Sequence, residues 1–323
     1  MRTLITGSNG FIGSFILNNY IYNKEISFRA VFRDSEQLPQ TKDKIFIENI
    51  DSETNWKAAL EGIDSILHLA GRAHIVKDTP LNPSSEYKSV NVDGTLNLAQ
   101  QAISAGVKRF IYLSSIKVNG EETPYGESFK PDDNPSPIDE YGKSKFEAER
   151  QLIKISSKAE MDFVIIRPVM VYGPGVKGNL LSLLAWISKG FPLPLGSINN
   201  LRDFVSIQNL ADLILLCLKH PSAANQIFLV SDDKPISTTY LINSISAGLK
   251  KSIINIPISS AFLKVFFELL NKNDISLKLL CSLQVDISKT KKVLGWEPKI
   301  SFDTAIQLTV DDFLINSFKE EQK

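Results

Sequence analysis

The chain has 323 residues, long enough for one large α/β domain or two smaller ones. Its 36 basic and 36 acidic side chains balance, so no net charge favours nucleic acid or an anionic membrane as a partner. Cys217 and Cys281 are too few and too far apart for a disulfide framework or a zinc site, so we expect no metal. The opening apolar stretch is too short for a secretory signal, and no apolar run reaches about 18 residues. We therefore expect a cytoplasmic protein without a membrane span.

Short apolar stretches alternate with helical patterns through the first half of the chain. Continuously apolar strands separated by helices indicate βαβ units and a parallel sheet covered on both faces. Right-handed crossovers then favour a doubly wound, Rossmann-type sheet. The predicted strands are Thr3–Thr6, Phe28–Phe32, Ile45–Ile47, Ser65–Leu69, Arg109–Ser114 and Phe163–Arg167. The predicted helices between them include Gly10–Tyr20, Trp56–Glu61, Tyr87–Ala105 and Tyr141–Ser157.

The sequence changes character after Pro168, where glycine and proline form turn signals and helical patterns predominate. We expect a dinucleotide-binding domain over 1–170, with a return segment near 200–230, and a smaller, partly helical substrate lobe over 171–323. The patterns of this second half are helices at Leu180–Ser188, Leu210–Lys219, Thr239–Leu249 and Ser260–Leu270, with a short strand at Ile227–Val230.

The segment Ile258–Leu270 is the most apolar helix of the chain and contains Phe262, Val265 and Phe266. It lacks the Lys/Arg-rich polar face of a helix that lies on a membrane. We therefore expect it to be buried or to form an interface.

A glycine-rich loop, Gly7-Ser8-Asn9-Gly10-Phe11-Ile12-Gly13, directly follows the first predicted strand and opens the first helix. Glycine permits a tight turn there and lets backbone N–H groups at the helix N-terminus approach a pyrophosphate. The strand–turn–helix context predicts a dinucleotide site.

The end of the second predicted strand bears on the choice of cofactor. A dinucleotide fold that prefers NAD places an acidic residue there for the ribose 2′-hydroxyl. Here the strand ends in Arg33, followed by Asp34. If Arg33 holds the terminal position, its guanidinium suits the 2′-phosphate of NADP(H). If the register shifts by one residue, Asp34 takes that position and NAD(H) is expected. We favour NADP(H).

A tyrosine and a lysine four residues apart, Tyr141 and Lys145, lie on one face of a predicted helix. A phenol is a poor acid or base near neutral pH, and an adjacent ammonium lowers its pKa. Upstream, Ser114 and Ser115 end a strand with two hydroxyls that can polarise a carbonyl. Together with the glycine-rich loop, these residues predict oxidoreductase chemistry.

The chain resembles an extended short-chain dehydrogenase/reductase of the nucleotide-sugar epimerase/dehydratase family over essentially its whole length. The resemblance rests on many ordered motifs at family spacing. These are residues 6–13, His68-Leu69-Ala70-Gly71, Asn91-Val92-Asp93-Gly94-Thr95, Ser114-Ser115, Tyr141–Lys145, Arg167-Pro168, residues 171–175, Arg202-Asp203-Phe204-Val205 and residues 294–298.

The resemblance implies a role for each matching residue. Tyr141 would donate or accept the proton. Lys145 would activate Tyr141 and bind the ribose, and Ser115 would hydrogen-bond the sugar C4 oxygen. Asn179 and Arg202 would contact the substrate diphosphate. The implied cofactor-binding residues are Gly7, Asn9, Gly10, Phe11, Ile12, Gly13, Arg33, Asn49, Ile50, Leu69, Ala70, Gly71, Tyr141, Lys145 and Pro168. The family also implies a homodimer.

Two departures from the family pattern concern the adenine and the substrate. Asn49-Ile50 stands where the family has aspartate before an apolar residue, with Asp51 just beyond. Val118-Asn119-Gly120 stands where UDP-galactose 4-epimerases have Val-Tyr-Gly. His68 is expected to be structural, and the role of His74 stays open.

Two reactions remain in view, because the chain looks most like bacterial UDP-4-keto-6-deoxy-N-acetylhexosamine 4-reductases, many of which are labelled UDP-glucose 4-epimerases. Arg33 favours NADP(H)-dependent reduction of a UDP- or dTDP-linked 4-keto-6-deoxy-hexose or N-acetylhexosamine for surface-polysaccharide (O-antigen) synthesis. The alternative is a UDP-hexose or UDP-N-acetylhexosamine 4-epimerase with tightly bound NAD. A 4,6-dehydratase is disfavoured, because Ile116-Lys117 supplies no carboxylate beside Ser115. A cofactor-sensing protein without activity is disfavoured by the intact Ser115, Tyr141 and Lys145.

Overall fold

Parallel strands form the central sheet of the protein. The computed structural model describes residues 1–33, 43–72 and 83–321. The order across this seven-stranded sheet is β3-β2-β1-β4-β5-β6-β9, which confirms the predicted doubly wound, Rossmann-type fold. A separate two-stranded sheet pairs β7 with β8. The strands are β1 (Arg2–Thr6), β2 (Ser27–Phe32), β3 (Lys44–Phe46), β4 (Ser65–His68), β5 (Arg109–Leu113), β6 (Asp162–Pro168), β7 (Met170–Tyr172), β8 (Phe204–Ser206) and β9 (Gln226–Val230).

Helices cover both faces of the sheet and make up most of the regular structure in the second half of the chain. A π-helical segment, Lys88–Gly94, leads into α4, and a 3₁₀ turn, Ile116–Val118, follows β5. The helices are α1 (Phe11–Tyr20), α2 (Lys57–Leu60), α3 (Pro83–Tyr87), α4 (Thr95–Ser104), α5 (Glu140–Ser156), α6 (Asn179–Ser188), α7 (Ile207–Lys219), α8 (Thr238–Gly248), α9 (Ser260–Leu269), α10 (Asn273–Leu280), α11 (Ser288–Leu294) and α12 (Phe302–Glu321).

Alternate residues of the central strands enter two different cores, which is why these strands are apolar throughout. In β1, Leu4 packs with α2, α4 and α5 on one face, whereas Ile5 packs with α1 and α7 on the other. Ile66 and Leu67 of β4 divide in the same way. Burial of both faces fixes the strand register, because a shift of one residue would exchange the two sets.

A third core lies among α6, α8 and α12 beside the β7–β8 sheet. Tyr172 of β7 and Phe302 of α12 meet there, with ring centroids 5.4 Å apart. After β8 the chain returns through α7 to β9, which pairs with β6 in the central sheet. The boundary proposed near residue 170 stays a prediction.

Helix α9 differs from the expectation of a buried helix. Of its residues only Leu263 is buried, whereas Phe262 is 63% and Leu269 is 78% exposed. The expected burial is therefore wrong for this chain, and the expected interface stays a prediction. Within the described ranges 1–33, 43–72 and 83–321, no helix is long and apolar enough to cross a bilayer.

Candidate active site

The glycine-rich turn packs directly against the end of the neighbouring strand β4. Gly7 has a φ of +72°, and a Cβ on it would lie 2.7 Å from the backbone nitrogen of Ala70. A Cβ on Gly13 would lie 2.2 Å from the carbonyl oxygen of Gly7. Only glycine therefore fits at these two positions. Gly10 precedes α1 without a capping side chain, so the first N–H groups of α1 are available to an anion.

A cavity of about 980 Å³ opens over this turn, between the carboxyl ends of β1, β2 and β4. This is the switch point of the sheet, where dinucleotides bind in open α/β folds. The size, the close backbone approach and the open helix N-terminus fit a dinucleotide. The predicted residues that line the cavity are Gly7, Asn9, Gly10, Arg33, Asn49, Ile50, Leu69, Ala70 and Gly71.

Other predicted cofactor residues are not part of the cavity lining. Phe11, Ile12 and Gly13 form the first turn of α1, and Pro168 ends β6. Sequence reasoning missed several lining residues, although most are neighbours of motif residues. These are Ser8, Val31, Phe32, Glu48, Arg72, Glu86, Ser89 and Val90, whereas Asp51, named beside Asn49-Ile50 in the sequence, also lines the cavity.

Beyond the ends of β2 and β3, the cavity is lined by an arginine and two carboxylates. Strand β2 ends at Phe32, so Arg33 is the first residue after it and is exposed in the cavity. Glu48 and Asp51 line the same space. Asp34, the alternative ribose ligand, lies outside the described residues, as does His74.

Ser115, Tyr141 and Lys145 come together where β5 and α5 meet. Ser115 caps the 3₁₀ turn after β5, and its Oγ accepts a hydrogen bond from the backbone N–H of Lys117 at 3.3 Å. Tyr141 lies in the first turn of α5. Lys145, one turn further on, is buried, and its Nζ donates to the carbonyl of Leu113 at 2.9 Å. The two chain segments therefore present the three predicted catalytic side chains to one place.

The burial of this site governs its protonation. Burial, and then the negative charge of Asp139, raise the pKa of Tyr141 to about 12, while a hydrogen bond with Ser115 opposes the rise. Burial lowers the pKa of Lys145 to about 8, against the attraction of Glu149. The Lys145 Nζ is 5.9 Å from the Tyr141 ring centroid. The phenol thus holds its proton in this structure, and a positive charge nearby is needed to favour the phenolate.

The predicted catalytic residues border the cavity at Gly71. A Cβ on Gly71 would lie 3.1 Å from the Lys145 Nζ and 3.2 Å from the Oδ1 of Asn91. Asn91 accepts a hydrogen bond from the Arg72 backbone N–H at 2.7 Å and donates to Ser144 at 2.9 Å. Asn91 therefore ties the cavity wall to α5. Sequence reasoning assigned it no role, although it opens the quoted motif at residues 91–95.

The residues expected to contact the substrate diphosphate take different positions. Arg202 is partly buried, and its Nη1 donates to the carbonyls of Leu277 at 3.0 Å and Cys281 at 2.8 Å. Asn179 is exposed at the first position of α6. The roles assigned to both residues stay predictions.

The departure at Val118-Asn119-Gly120 has a structural explanation. Asn119 is buried, and its Oδ1 accepts a hydrogen bond from the Nη1 of Arg167 at 2.9 Å. Arg167 also forms a buried ion pair with Glu149 at 2.6 Å. The amide thus completes a buried polar network between β6 and α5 rather than lining the cavity.

His68 is a buried structural residue in this fold. Its Nδ1 lies 2.7 Å from the Thr6 hydroxyl and its Nε2 lies 3.0 Å from that of Thr95. Burial, and then the charge of Lys145, lower the pKa of His68 to about 3. The imidazole is therefore neutral and fixed between two strands and a helix.

A Rossmann-type sheet with serine, tyrosine and lysine beside its switch point defines the short-chain dehydrogenase/reductase class. The family model described as the NAD dependent epimerase/dehydratase family matches residues 3–231, and the chain belongs to that family. The predicted family and the prediction of an enzyme that uses NAD or NADP are thereby confirmed.

Known proteins similar to this chain include epimerases and structures with either cofactor. A UDP-glucose 4-epimerase from Vibrio cholerae is 43% identical over 314 residues, 96% of this chain and 95% of that protein. A structure of UDP-glucuronic acid 4-epimerase from Bacillus cereus with NAD is 20% identical, with a TM-score of 0.77 over 98% of this chain and 99% of that one. RMD from Pseudomonas aeruginosa with NADPH is 19% identical, with a TM-score of 0.75 over 97% and 98%. The shared fold therefore does not choose between NAD and NADPH.

Proposed function

We propose that this protein is a UDP-hexose or UDP-N-acetylhexosamine 4-epimerase that uses tightly bound NAD. The observation that carries the proposal is the 43% identity to the Vibrio cholerae UDP-glucose 4-epimerase across 96% of the chain. That relative favours the epimerase over the 4-ketoreductase that Arg33 alone suggested. An epimerase also has no net demand for a reductant, so it does not need NADPH.

The proposed reaction needs a group that removes the proton of the C4 hydroxyl and returns it. Tyr141 as phenolate accepts this proton, and the Ser115 hydroxyl hydrogen-bonds the C4 oxygen as it becomes a carbonyl. When bound, NAD⁺ would accept the hydride of C4 and return the same hydride to the opposite face of C4, and its positive charge would favour the Tyr141 phenolate. After the 4-keto sugar turns in the cleft, Tyr141 returns the proton to the carbonyl oxygen.

The glycine-rich turn and the end of β4 would hold the cofactor. The N–H groups at the start of α1 face the pyrophosphate. Gly7 and Gly13 allow the tight turn that presents these groups, because side chains at either position would clash with the backbone. Lys145, buried beside Gly71, serves as the ribose ligand. The substrate diphosphate lies toward Asn179 and Arg202, in the lobe over 171–323, and we propose that the active species is a homodimer.

A second candidate function is supported by Arg33. Its position after β2, in the lining of the cavity, suits a 2′-phosphate and so an NADPH-dependent 4-ketoreductase. Glu48 and Asp51 line the same end of the cavity, and carboxylates disfavour an additional phosphate there. We therefore rank the reductase second.

The two functions are separated by the cofactor that the isolated protein carries. The epimerase predicts NAD(H) in the supernatant of denatured protein and conversion of UDP-glucose or UDP-N-acetylglucosamine to its C4 epimer without added cofactor. An empty protein that oxidises NADPH with a UDP-4-keto-6-deoxy sugar would instead establish the reductase. The cofactor is identified by chromatography and the sugars by nuclear magnetic resonance.

A further inference from the structure

Lys117 lies two residues after Ser115 and reaches the other catalytic segment. Its Nζ lies 2.5 Å from the Oδ2 of Asp139 and 2.7 Å from the Oε1 of Glu121. The three side chains are 15–29% exposed, so the group is largely shielded from water. The charge of Lys117 is retained, because its hydrogen bonds to Asp139 and Glu121 outweigh burial and raise its pKa.

Asp139 connects this ion pair to the helix that carries Tyr141. Its Oδ1 accepts a hydrogen bond from the Gly142 N–H at 2.7 Å and so caps α5, while Oδ2 faces Lys117. The two backbones also approach each other closely at this point. A Cβ on Gly142 would lie only 2.9 Å from the carbonyl oxygen of Lys117. Both the side chain and the main chain of residue 117 thus touch the first turn of α5.

The charged and titratable groups around Tyr141 show what this contact does. Lys145 faces the phenol from α5, Tyr112 from β5 and Tyr87 from α3, where the Tyr87 ring centroid is 6.2 Å away. Asp139 acts from just before α5 and is the negative charge that raises the pKa of Tyr141. The cation of Lys117 lies on that carboxylate and partly cancels its field.

We propose that Lys117 is a positioning residue, which fixes the separation of Ser115 and Tyr141 and neutralises Asp139 beside the phenol. The proposal rests on the proposed function only in taking Tyr141 as the group that carries the proton. A partly exposed ion pair contributes little to stability, so its value here lies in geometry and charge rather than in holding the fold.

Substitution of Lys117→Met tests the proposal through turnover and its pH dependence. Loss of the cation removes the Lys117 charge that opposes the field of Asp139, so the phenolate forms at higher pH. We expect kcat to fall by about 10-fold with KM within about a factor of two. The acidic limb of the kcat profile should move up by about 0.5–1 pH unit. Lys117→Arg should retain most of the activity, because it keeps the charge.

A double substitution distinguishes the charge of Asp139 from its capping role. Asp139→Asn keeps an oxygen that can accept from the Gly142 N–H but removes the negative charge. Added to Lys117→Met, it should return the pH limb toward that of the wild type. Lys143→Met is the matched control. Lys143 is a half-exposed lysine in the first turn of α5, next to Gly142, and it pairs with Glu140 at 2.8 Å. It should leave kcat and the pH limb unchanged.

The outcomes separate this proposal from the proposed function. An unmoved pH limb in Lys117→Met, with only a lower melting temperature, would show a merely structural role and overturn the proposal. If the wild type epimerises no UDP-sugar, the proposed function fails, but tyrosinate absorbance still reports on Tyr141 without substrate. The reference for that measurement is Tyr141→Phe. Equal ionisation of Tyr141 in wild type and Lys117→Met would then overturn the role of Lys117.

Discussion

Tyr141 carries the proton in the proposed reaction, so removal of its hydroxyl is the most selective change at the residue scale. We predict that Tyr141→Phe lowers kcat by about 10²–10⁴-fold, the usual contribution of a general acid–base group. Cofactor content should stay at the wild-type level, because the dinucleotide cavity is lined by other residues. The measurement is turnover together with bound NAD(H) per chain. Activity equal to that of the wild type would remove Tyr141 from the mechanism.

Arg33 tests how the cavity recognises the adenosine ribose. We predict that Arg33→Ala weakens NADPH binding by roughly 10–150-fold, since charge-assisted hydrogen bonds are worth about 1.5–3 kcal/mol. NADH, which lacks the phosphate, should lose little. Arg29 does not compensate, because it is held by Asp43 at 3.0 Å and by nearby carbonyls.

Cofactor affinities of wild type and variant measure this effect, with Arg150→Ala as the control. Arg150 is an exposed arginine of α5, paired with Glu147. Equal weakening of NADH and NADPH by Arg33→Ala would show that Arg33 does not contact a phosphate. For the wild type, the epimerase predicts a preference for NAD(H).

The sequence predicted the residues of the site better than the contacts among them. The motif residues Ser115, Tyr141 and Lys145 meet as expected, because strand ends and helix starts converge at one edge of a parallel sheet. The ion pair of Lys117 with Asp139 was not predicted, since it joins positions 22 residues apart that only the folded chain brings together. The choice between Arg33 and Asp34 depended on the end of β2, which a pattern of apolar residues does not define.

At the scale of elements, the β1–α1 turn offers a direct test. We predict that Gly13→Ala abolishes tight cofactor binding, because its Cβ would lie 2.2 Å from the Gly7 carbonyl and must push the turn apart. Forced overpacking of this kind costs about 1–3 kcal/mol, so the melting temperature should also fall. Bound cofactor per chain and thermal unfolding are the measurements.

The control for that substitution is Asn18→Ala, an exposed position of the same helix. It should keep both the cofactor and the melting temperature. Full cofactor content in Gly13→Ala would mean that the turn does not cradle the dinucleotide.

The strands of the central sheet and helices α1, α2 and α4 to α9 were predicted to within a few residues, because burial leaves a clear apolar signal. Strands β7 and β8, which form the separate small sheet, were not predicted. Helix α12 has apolar residues without a strong face and was also missed. Helix α9 was expected to be buried or to form an interface; only its Leu263 is buried in this chain, so the interface stays a prediction.

At the scale of the whole molecule, the fold brings the cavity and the group formed by Ser115, Tyr141 and Lys145 to one edge of the sheet. The sequence supports this architecture well, since consecutive βαβ units leave few topologies open. It does not specify the reaction, because reductases and epimerases share the sheet, the glycine-rich turn and the catalytic residues. The function must therefore be tested by following the hydrogen at C4.

The most direct measurement uses UDP-glucose or UDP-N-acetylglucosamine labelled with deuterium at C4, incubated with the protein as isolated. A 4-epimerase that keeps its cofactor removes and returns the same hydride within one active site. We therefore predict the C4 epimer with deuterium retained at C4 and no need for added NAD or NADPH. The contrary result would be no epimer from either sugar, with NADPH consumed by a 4-keto sugar in equal amount to the product.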